Sequence, residues 1–242
     1  MVKWISHRGE SYDAPENTLA AFRLSLERGT DGMECDVHLT ADGQVAVGHD
    51  NSTARMGSAI MDIESSTYAD LQKISVSGSF EKEYPNEKIP LLSETFKYLG
   101  EGREYYIELK GSDPALIPAV KKVVEASGIP AKQIVFISFS EELISGIKAA
   151  MPEYCALWLN GLRTENGIIS SGDLVAKLEA LGVDGIDAWC HPEISCELVK
   201  AVHDAGKIFA VWTVDNPAHA KHLIALGVDA VTSNRAALLK NW

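Results

Sequence analysis

The sequence lacks the features of a membrane or secreted protein. Its 242 residues contain no run of about eighteen or more apolar residues, which a transmembrane helix requires. The N-terminal stretch Met1 to Ser6 leads directly into polar residues, without the apolar segment of a secretory signal peptide. We therefore expect a cytoplasmic protein that has no stable association with a membrane.

Cysteine is scarce and never closely paired. The four cysteines, Cys35, Cys155, Cys190 and Cys196, include no C-x-x-C pair, which disfavours a zinc ribbon or a thioredoxin-like redox site. We expect these cysteines to be buried free thiols. A chain of this length buries roughly three quarters of the surface that its unfolded state exposes, so it needs no disulfide to stabilise a core.

Positive charge is in deficit. Lys and Arg number 22 against 34 Asp and Glu, which gives a formal net charge of −12. This charge disfavours nucleic acid or an anionic membrane as the main partner. An anionic substrate would therefore need positive charge built locally into its site. The oligomeric state is left open, and a homo-oligomer is compatible with the sequence.

The composition that remains indicates a globular protein. Hydrophobic residues make up 46% and charged residues 23% of the chain, as is typical of folded soluble domains. We predict one domain over residues 1–242. Short β-rich apolar runs recur along it as eight predicted strands: Trp4–Ser6, Gly32–Val37, Tyr105–Leu109, Ile134–Phe139, Cys155–Leu159, Gly185–Ala188, Ile208–Val214 and Ala230–Ser233.

Segments with helical periodicity separate these strands, and glycines follow several of them as expected for helix ends. The predicted helices are Asn17–Arg28, Pro114–Ser127, Glu141–Ala150, Ser171–Leu181, Ile194–Ala205 and Pro217–Leu226. Strand–helix alternation repeated eight times predicts an α/β fold, a closed (β/α)8 TIM barrel. A doubly wound open sheet is the alternative, but no G-x-G-x-x-G motif follows the first strand.

One interval interrupts the alternation. Residues from about 51 to 90 are rich in Ser, Gly, Asp, Glu and Lys, with only a short helical pattern near Tyr68 to Ile74. We interpret this interval as a small insertion after the second strand, because some forty polar residues make a poor independent core. Long barrel loops commonly serve the site, which makes a lid a plausible role for the insertion.

Acidic residues alternate on two of the predicted strands. Glu34 and Asp36 lie two residues apart on the second strand, and Glu108 and Lys110 do so at the end of the third, so each pair shares one face. If those faces point to the barrel axis, three carboxylates meet at the rim where barrel active sites lie. Two carboxylates about 4 Å apart repel by about 4 kcal/mol at an effective dielectric of about 20.

Such a cluster favours a bound cation or a protonated member. An all-oxygen donor set suits Mg²⁺ or Ca²⁺ better than zinc. The alternative, that the three acids pair with barrel Arg or Lys residues in a buried ionic layer, stays open on spacing alone.

Two histidines fall at strand-to-loop junctions of the same rim. His7 and Arg8 follow the first strand, and His49 follows the apolar run Gln44 to Gly48. A pair of imidazoles can divide the acid and base roles of proton transfer, and the Arg8 guanidinium suits a phosphate. Each histidine alone would be interpreted as structural, but two beside a carboxylate trio indicate chemistry.

Charge complementarity then selects a substrate class. Three carboxylates, one divalent cation, Arg8 and Lys110 together leave one net positive charge, which matches a phosphodiester monoanion.

These residues belong to a spaced series of motifs that resembles the glycerophosphodiester phosphodiesterase family. The series spans nearly the whole chain: His7-Arg8-Gly9, Pro15 to Phe22, Glu34-Cys35-Asp36-Val37, Thr40 to Gly43, Gly48-His49-Asp50, Ile89 to Glu94, Ile107-Glu108-Leu109-Lys110, Ile137-Ser138-Phe139 and Val211-Trp212-Thr213-Val214. The resemblance implies a TIM barrel with a small insertion and one divalent cation, Mg²⁺ or Ca²⁺. It also implies hydrolysis of glycerophosphodiesters to sn-glycerol 3-phosphate and an alcohol.

The resemblance further assigns roles to individual residues. It implies that Glu34, Asp36 and Glu108 hold the metal and that His7 and His49 are the acid/base pair. The remaining implied roles concern the substrate. Arg8 and Lys110 would bind phosphate oxygens, and Glu16 would orient the site or contact the glycerol.

Further candidates rest on strand position alone. Trp212, at the end of the seventh strand, would lie against the glycerol or the alcohol or else pack at the rim. Phe139 and Trp158 have the same two interpretations, with packing favoured. Asp187 and His191, after the sixth strand, are candidates for binding substrate hydroxyls. The other histidines are expected to be structural or exposed: His38, His203, His219 and His222.

Two segments depart from the family pattern, at Asn51 to Met56 and at Thr232-Ser233-Asn234-Arg235. We expect neither to touch the catalytic residues, but both bear on which alcohol the site accepts. The alternatives in function are a phospholipase D or sphingomyelinase-like barrel, a sugar-phosphodiester phosphodiesterase, and a non-catalytic barrel that binds phosphoesters.

Overall fold

Eight parallel strands close into a barrel. The computed structural model describes residues 1–165 and 167–242. Its strands are β1 (Lys3–Ser6), β2 (Gly32–Leu39), β3 (Val45–Val47), β4 (Glu104–Leu109), β5 (Ile134–Ser138), β6 (Cys155–Asn160), β7 (Arg163–Thr164), β8 (Gly167–Ile168), β9 (Gly185–Trp189), β10 (Ile208–Trp212) and β11 (Ala230–Ser233). The barrel order is β1-β2-β4-β5-β6-β9-β10-β11, and pairing of β11 with β1 closes it. The predicted (β/α)8 fold is confirmed.

The eight predicted strands are the eight barrel strands, with small differences in length. The predicted runs to Phe139 and Val214 end earlier, at Ser138 and Trp212. Three short strands were not predicted: β3, antiparallel to β2, and the antiparallel pair β7 and β8. Strands of two or three residues are too short for periodicity to detect.

Helices cover the outside of the barrel. They are α1 (Leu19–Glu27), α2 (Tyr68–Leu71), α3 (Leu92–Thr95), α4 (Leu116–Ser127), α5 (Glu141–Ala150), α6 (Ser171–Leu181), α7 (Cys196–Asp204), α8 (Pro217–Leu226) and α9 (Ala236–Lys240). The predicted bounds of α5, α6 and α8 agree with the structure, whereas α3 and α9 were not predicted. α1 and α7 begin two residues later than predicted, because the hydroxyls of Thr18 and Ser195 accept N-cap hydrogen bonds.

Strand parity separates two apolar layers. Inside the barrel lie the buried side chains of Ile5, Tyr106, Val135, Ile137, Leu157, Leu159, Ala210 and Ala230. Their chain neighbours, such as Ile107 and Phe136, pack with Cys35 in a second cluster that also contains the buried helix residues. Since side chains alternate along a strand, Glu34, Asp36, Glu108 and Asp187 face the barrel interior.

The polar interval after β3 contains a small apolar cluster. Its buried members are Ala46, Ile63, Leu71, Ile74, Val76 and Ile89. Because Ala46 belongs to β3, this cluster packs onto the barrel instead of forming a separate core. The short helix α2 lies where the helical pattern near Tyr68 predicted one.

All four cysteines are free thiols. Cys35 and Cys190 are buried and Cys155 is half-buried, but Cys196 is exposed. The expectation of burial is wrong for Cys196, because it is the first residue of α7, directly after the capping Ser195 at the surface.

Close contact between two barrel strands generates a stability prediction. Gly185 pairs with Ile208, and a Cβ at Gly185 would lie 2.2 Å from the Ile208 carbonyl oxygen. We expect Gly185→Ala to lower the free energy of unfolding by about 3 kcal/mol, because β9 and β10 would have to separate. Chemical denaturation measures the change.

The matched control is Gly172→Ala, at an exposed position of helix α6, where an added Cβ meets no atom within 4 Å. We expect it to leave the free energy of unfolding unchanged or raise it by up to about 1 kcal/mol. Equal stability of the two variants would contradict the contact.

Candidate active site

The predicted site residues come from neighbouring strands at one end of the barrel. His7 and Arg8 follow β1, and His49 follows β3. Glu34 and Asp36 lie in β2. Glu108 lies near the end of β4, two residues before Lys110. β2 pairs with β4 so that Asp36 lies opposite Glu108. The carboxyl ends of parallel strands therefore bring these side chains to the same rim.

The three acids form a compact buried cluster. One carboxylate oxygen each of Glu34, Asp36 and Glu108 lies within 4.8 Å of the others. The residues are 2%, 0% and 8% exposed, respectively, so water screens their mutual repulsion poorly.

Two basic side chains compensate part of this negative charge. Arg8 Nε lies 3.3 Å from Asp36 Oδ2, and Lys110 Nζ lies 3.3 Å from Asp36 Oδ1 and 2.9 Å from Glu108 Oε1. Burial raises the pKa of Asp36, but the charges of Arg8 and Lys110 hold it well below its ordinary value. The predicted alternative of an ionic layer is thus partly realised around Asp36.

The pKa values of the two glutamates shift in the opposite direction, upward. Burial and the neighbouring Asp36 charge raise the pKa of Glu34 well above its ordinary value. The same two causes raise the pKa of Glu108 to about 8. The cluster therefore holds more carboxyl groups than its two basic neighbours can keep ionised.

Asn17 is a site residue to which the sequence analysis gave no role. Its Nδ2 donates to Asp36 Oδ2 at 2.8 Å, and its Oδ1 accepts from the Asp36 backbone N–H at 3.3 Å. Asn17 and Arg8 both have left-handed backbone, with φ of 57° and 54°, and the Asn17 N–H donates to the Arg8 carbonyl. Such strained backbone in non-glycine residues is typical of functional loops. Its position within the Pro15 to Phe22 motif was the available signal.

His7 has a defined tautomer. Its Nδ1 lies 2.7 Å from Asn234 Oδ1, and Asn234 Nδ2 donates to Asp215 Oδ2 at 2.6 Å, so the amide oxygen faces the ring. His7 Nδ1 therefore donates and carries the proton. Burial, then the Arg8 charge, lowers the pKa of His7 to about 4.

His49 is arranged in the same way by a carboxylate. Its Nδ1 lies 2.6 Å from Asp50 Oδ1, which leaves Nε2 as the unprotonated nitrogen of the neutral ring. Burial lowers the pKa of His49 as the largest effect, whereas the Asp36 charge opposes it.

Glu16 belongs to a charge network between the two histidine loops. Glu16 Oε1 accepts from Arg8 Nη1 at 2.8 Å, and Arg55 binds both Glu16 oxygens at 2.7 Å. Arg55 Nε also donates to Asp50 Oδ2 at 2.8 Å. These contacts are those of a residue that orients the site.

The expectation that the two departing segments would not touch the catalytic residues is wrong. Asn234, in the second segment, contacts His7. Arg55, in the first, contacts the Asp50 that holds His49. Asn234 lies 227 residues from His7, a distance that gave no sequence signal, whereas Arg55 lies only 5 residues from Asp50.

A cleft at the rim, the rim cleft, has an empty volume of about 390 Å³ that includes space open to solvent. It is lined by His7, Arg8, Glu34, His49, Glu108, Ile137, Phe139, Leu159, Asp187, Trp212, Thr213 and Thr232. Both histidines and two of the three acids, Glu34 and Glu108, therefore line one cleft. Asp36 and Lys110 stand behind this lining, and Glu16 lines an adjacent cavity with His49 and Arg55.

The secondary candidates divide between the cleft and other surroundings. Trp212 lines the rim cleft, and its Nε1 donates to the Asp187 carbonyl at 3.0 Å. Phe139 also lines it, with its ring centroid 5.4 Å from that of Trp212. His191 does not line the rim cleft, and its ring contacts that of Trp189 edge to face. Asp187 and His191 therefore do not form one binding site.

The remaining candidates lie outside the rim cleft, as expected. Trp158 packs in the outer apolar layer. His38 is buried between Glu64 and the His49 carbonyl, and His203 pairs with Asp229.

A rim site with an oxygen-rich acidic cluster, two imidazoles and two basic side chains defines a class of barrel enzymes that act on phosphoesters. Comparison with known proteins agrees. The model of the glycerophosphoryl diester phosphodiesterase family matches residues 7–238. A glycerophosphodiester phosphodiesterase of Bacillus altitudinis is 32% identical over 247 residues, which cover 96% of this chain and 94% of that relative.

Solved structures give the same result. A phosphodiesterase of Oleispira antarctica, in complex with the product sn-glycerol-3-phosphate, has a TM-score of 0.89 at 26% identity, covering 98% of this chain and 94% of that one. A glycerophosphodiester phosphodiesterase of Thermotoga maritima has a TM-score of 0.78 at 25% identity, covering 100% and 98%. The chain therefore belongs to the glycerophosphoryl diester phosphodiesterase family, whose members are phosphodiesterases that hydrolyse glycerophosphodiesters.

Across residues 1–165 and 167–242, no helix has the length and apolar character needed to cross a bilayer. The cytoplasmic location and the oligomeric state stay predictions.

The charge network generates a prediction about Arg55. We expect Arg55→Gln to lower kcat/KM for a glycerophosphodiester by about 10- to 100-fold, because Glu16 and Asp50 lose the cation that fixes Arg8 and His49. Steady-state kinetics measures the change. The control is Arg23→Gln, which affects only an exposed pair with Glu27 and should leave kcat/KM within about twofold. Similar kinetics for both variants would show that the network does not position the site.

Proposed function

We propose that this chain is a metal-dependent glycerophosphodiester phosphodiesterase that releases sn-glycerol 3-phosphate and an alcohol by histidine acid/base catalysis. The observation that carries the proposal is the meeting of His7 and His49 with Glu34 and Glu108 in one cleft. The product bound to the Oleispira antarctica phosphodiesterase supports the substrate class.

The cation would be held by Glu34, Asp36 and Glu108. Oxygen donors within 4.8 Å of one another suit a hard cation such as Mg²⁺ or Ca²⁺. Among the residues described, Asp36 Oδ1 is buried and makes no hydrogen bond, with Lys110 Nζ at 3.3 Å as its charged neighbour, which fits an oxygen that faces an ion. When bound, such a cation polarises a phosphoryl oxygen and neutralises charge.

Arg8 and Lys110 supply the positive charge for the phosphate oxygens. Arg8 lines the rim cleft. Its buried Nε lies 3.3 Å from Asp36 Oδ2 and makes no hydrogen bond within the part of the chain that the structure describes. Lys110 holds Glu108 at the edge of the same cluster. With a divalent cation present, the site carries about one net positive charge, as a phosphodiester monoanion requires.

The histidines divide proton transfer. The lowered pKa of His7, about 4, keeps its Nε2 free to take a proton from the attacking oxygen, which is water or a glycerol hydroxyl. His49 takes the acid role, because the Asp36 and Asp50 carboxylates stabilise its imidazolium against the burial that lowers its pKa. In that protonated form His49 gives a proton to the leaving alcohol. Trp212 packs against the organic part of the substrate.

We also propose that residues of about 51–90 form an insertion within a single domain, residues 1–242. Support comes from their apolar cluster, which Ala46 of β3 completes.

The function is tested with a panel of glycerophosphodiesters, following release of sn-glycerol 3-phosphate. We expect turnover of at least one water-soluble member. Binding without turnover would favour a non-catalytic barrel. Turnover restricted to sphingomyelin or phosphatidyl lipids would favour the phospholipase D or sphingomyelinase-like alternative.

The acid/base roles predict the effect of single substitutions. We expect His7→Gln and His49→Gln each to lower kcat by about 10²- to 10⁴-fold, because proton transfer loses its partner. His222→Gln, on the exposed side of α8, is the control and should retain wild-type kcat. Near-full activity of either cleft variant would remove that histidine from the mechanism.

The metal role predicts a loss of both binding and activity. We expect calorimetric titration to detect one Mg²⁺ or Ca²⁺ per chain and Asp36→Asn to abolish it, because a central anionic ligand is lost. Asp204→Asn, at an exposed pair with Lys200, should bind as the wild type does. Full activity in excess chelator would contradict metal dependence.

A further inference from the structure

Two buried polar side chains of the rim cleft, Asp187 and Thr232, come from β9 and β11, the strands that flank β10 in the barrel. Asp187 lies in β9 between Ile186 and Ala188, which both pack in the outer layer, so its side chain faces the barrel interior. Asp187 is 1% and Thr232 2% exposed. Both residues line the rim cleft.

Neither side chain is satisfied by the protein. Throughout residues 1–165 and 167–242, Asp187 Oδ1 and Thr232 Oγ1 have no hydrogen-bond partner. His7, His49 and Glu34, which line the same cleft, each have one. Buried polar atoms left unpaired destabilise a fold, so two of them in the wall of a substrate cleft indicate a ligand that pairs with them.

The surroundings of Asp187 select the kind of ligand. The cleft is also lined by the apolar side chains of Ile137 and Leu159 and by the ring of Trp212, and burial alone raises the pKa of Asp187 to about 8. At neutral pH the group is therefore mainly a carboxylic acid, which both donates and accepts a hydrogen bond. The Thr232 hydroxyl has the same capacity. Alcohol hydroxyls match both groups, whereas a cationic headgroup would need an ionised acid.

We propose that Asp187 and Thr232 form a hydroxyl-binding subsite that recognises an alcohol moiety of the phosphodiester. The inference rests on the proposed function and deepens it by naming specificity residues. The recognised hydroxyls belong to the sn-glycerol half or to the leaving alcohol, and Trp212 and Leu159 contact the carbon skeleton beside them.

Two substrates distinguish these sources. Glycerophosphoglycerol carries hydroxyls on both sides of the phosphate, and the glycerophospho n-propyl ester carries them only on the sn-glycerol half. We expect Asp187→Leu and Thr232→Val to lower kcat/KM for glycerophosphoglycerol by about 10- to 100-fold. An equal loss on the propyl ester supports recognition of the glycerol half, and a loss confined to glycerophosphoglycerol supports recognition of the leaving alcohol.

Thermal stability separates binding from structure. Because Asp187 Oδ1 has no partner to lose, Asp187→Leu should keep or raise the melting temperature while activity falls. Trp158→Phe is the control, since it removes another buried unpaired atom, Trp158 Nε1, in the outer layer. It should leave kcat/KM for both substrates within about twofold.

Values of kcat/KM within about twofold of wild type for both variants on both substrates would overturn the subsite. So would a lower melting temperature for Asp187→Leu together with unaltered kinetics for Thr232→Val. If Asp187→Leu does not fold, the kcat/KM values of Thr232→Val on the same two substrates provide the test. A wild-type enzyme inactive on every glycerophosphodiester would instead contradict the proposed function, so the two failures differ.

Discussion

Burial of three carboxyl groups in one cluster is the constraint on which the rest of the site depends. Glu34, Asp36 and Glu108 cannot all be ionised out of water without compensating positive charge. Arg8 and Lys110 supply part of it: both lie 3.3 Å from Asp36, and Lys110 lies 2.9 Å from Glu108 as well. The pKa of Asp36 consequently falls while those of the two glutamates rise. The protein itself therefore stabilises one carboxylate and leaves the other two needing a proton or a cation.

The loops around the cluster are held by contacts that serve this arrangement. The left-handed backbone at Arg8 and Asn17 directs both side chains to Asp36, and a chain of alternating charges continues through Glu16 and Arg55 to Asp50. A chain of this kind couples the β1 loop to the His49 loop, so neither histidine is positioned by its own strand alone. Strained backbone persists where surrounding contacts over-determine it, and here those contacts are ionic.

Periodicity predicted the barrel and the acidic cluster because both follow from a repeating geometry. Alternation along β2 and β4 places Glu34, Asp36 and Glu108 on the inner face, and parallel pairing brings them to one rim. Asn234 and Arg55 were not predicted as partners of the site, since both lie in loops, where no period fixes a side chain's direction, and Asn234 is also far from His7 in sequence. Sequence spacing likewise grouped Asp187 with His191, which the chain's turn after β9 separates.

We propose that the rim cleft combines groups for chemistry with groups for recognition. The histidines and charged side chains are paired with protein groups, so their geometry is fixed before any ligand arrives, which is what proton transfer and charge stabilisation need. Asp187 and Thr232 line the same cleft, but Asp187 Oδ1 and Thr232 Oγ1 have no hydrogen-bond partner among the described residues. A paired group gains little from a new partner, whereas an unpaired buried group gains the full interaction. On this proposal the reaction depends on the paired groups, and Asp187 and Thr232 decide which alcohol is accepted.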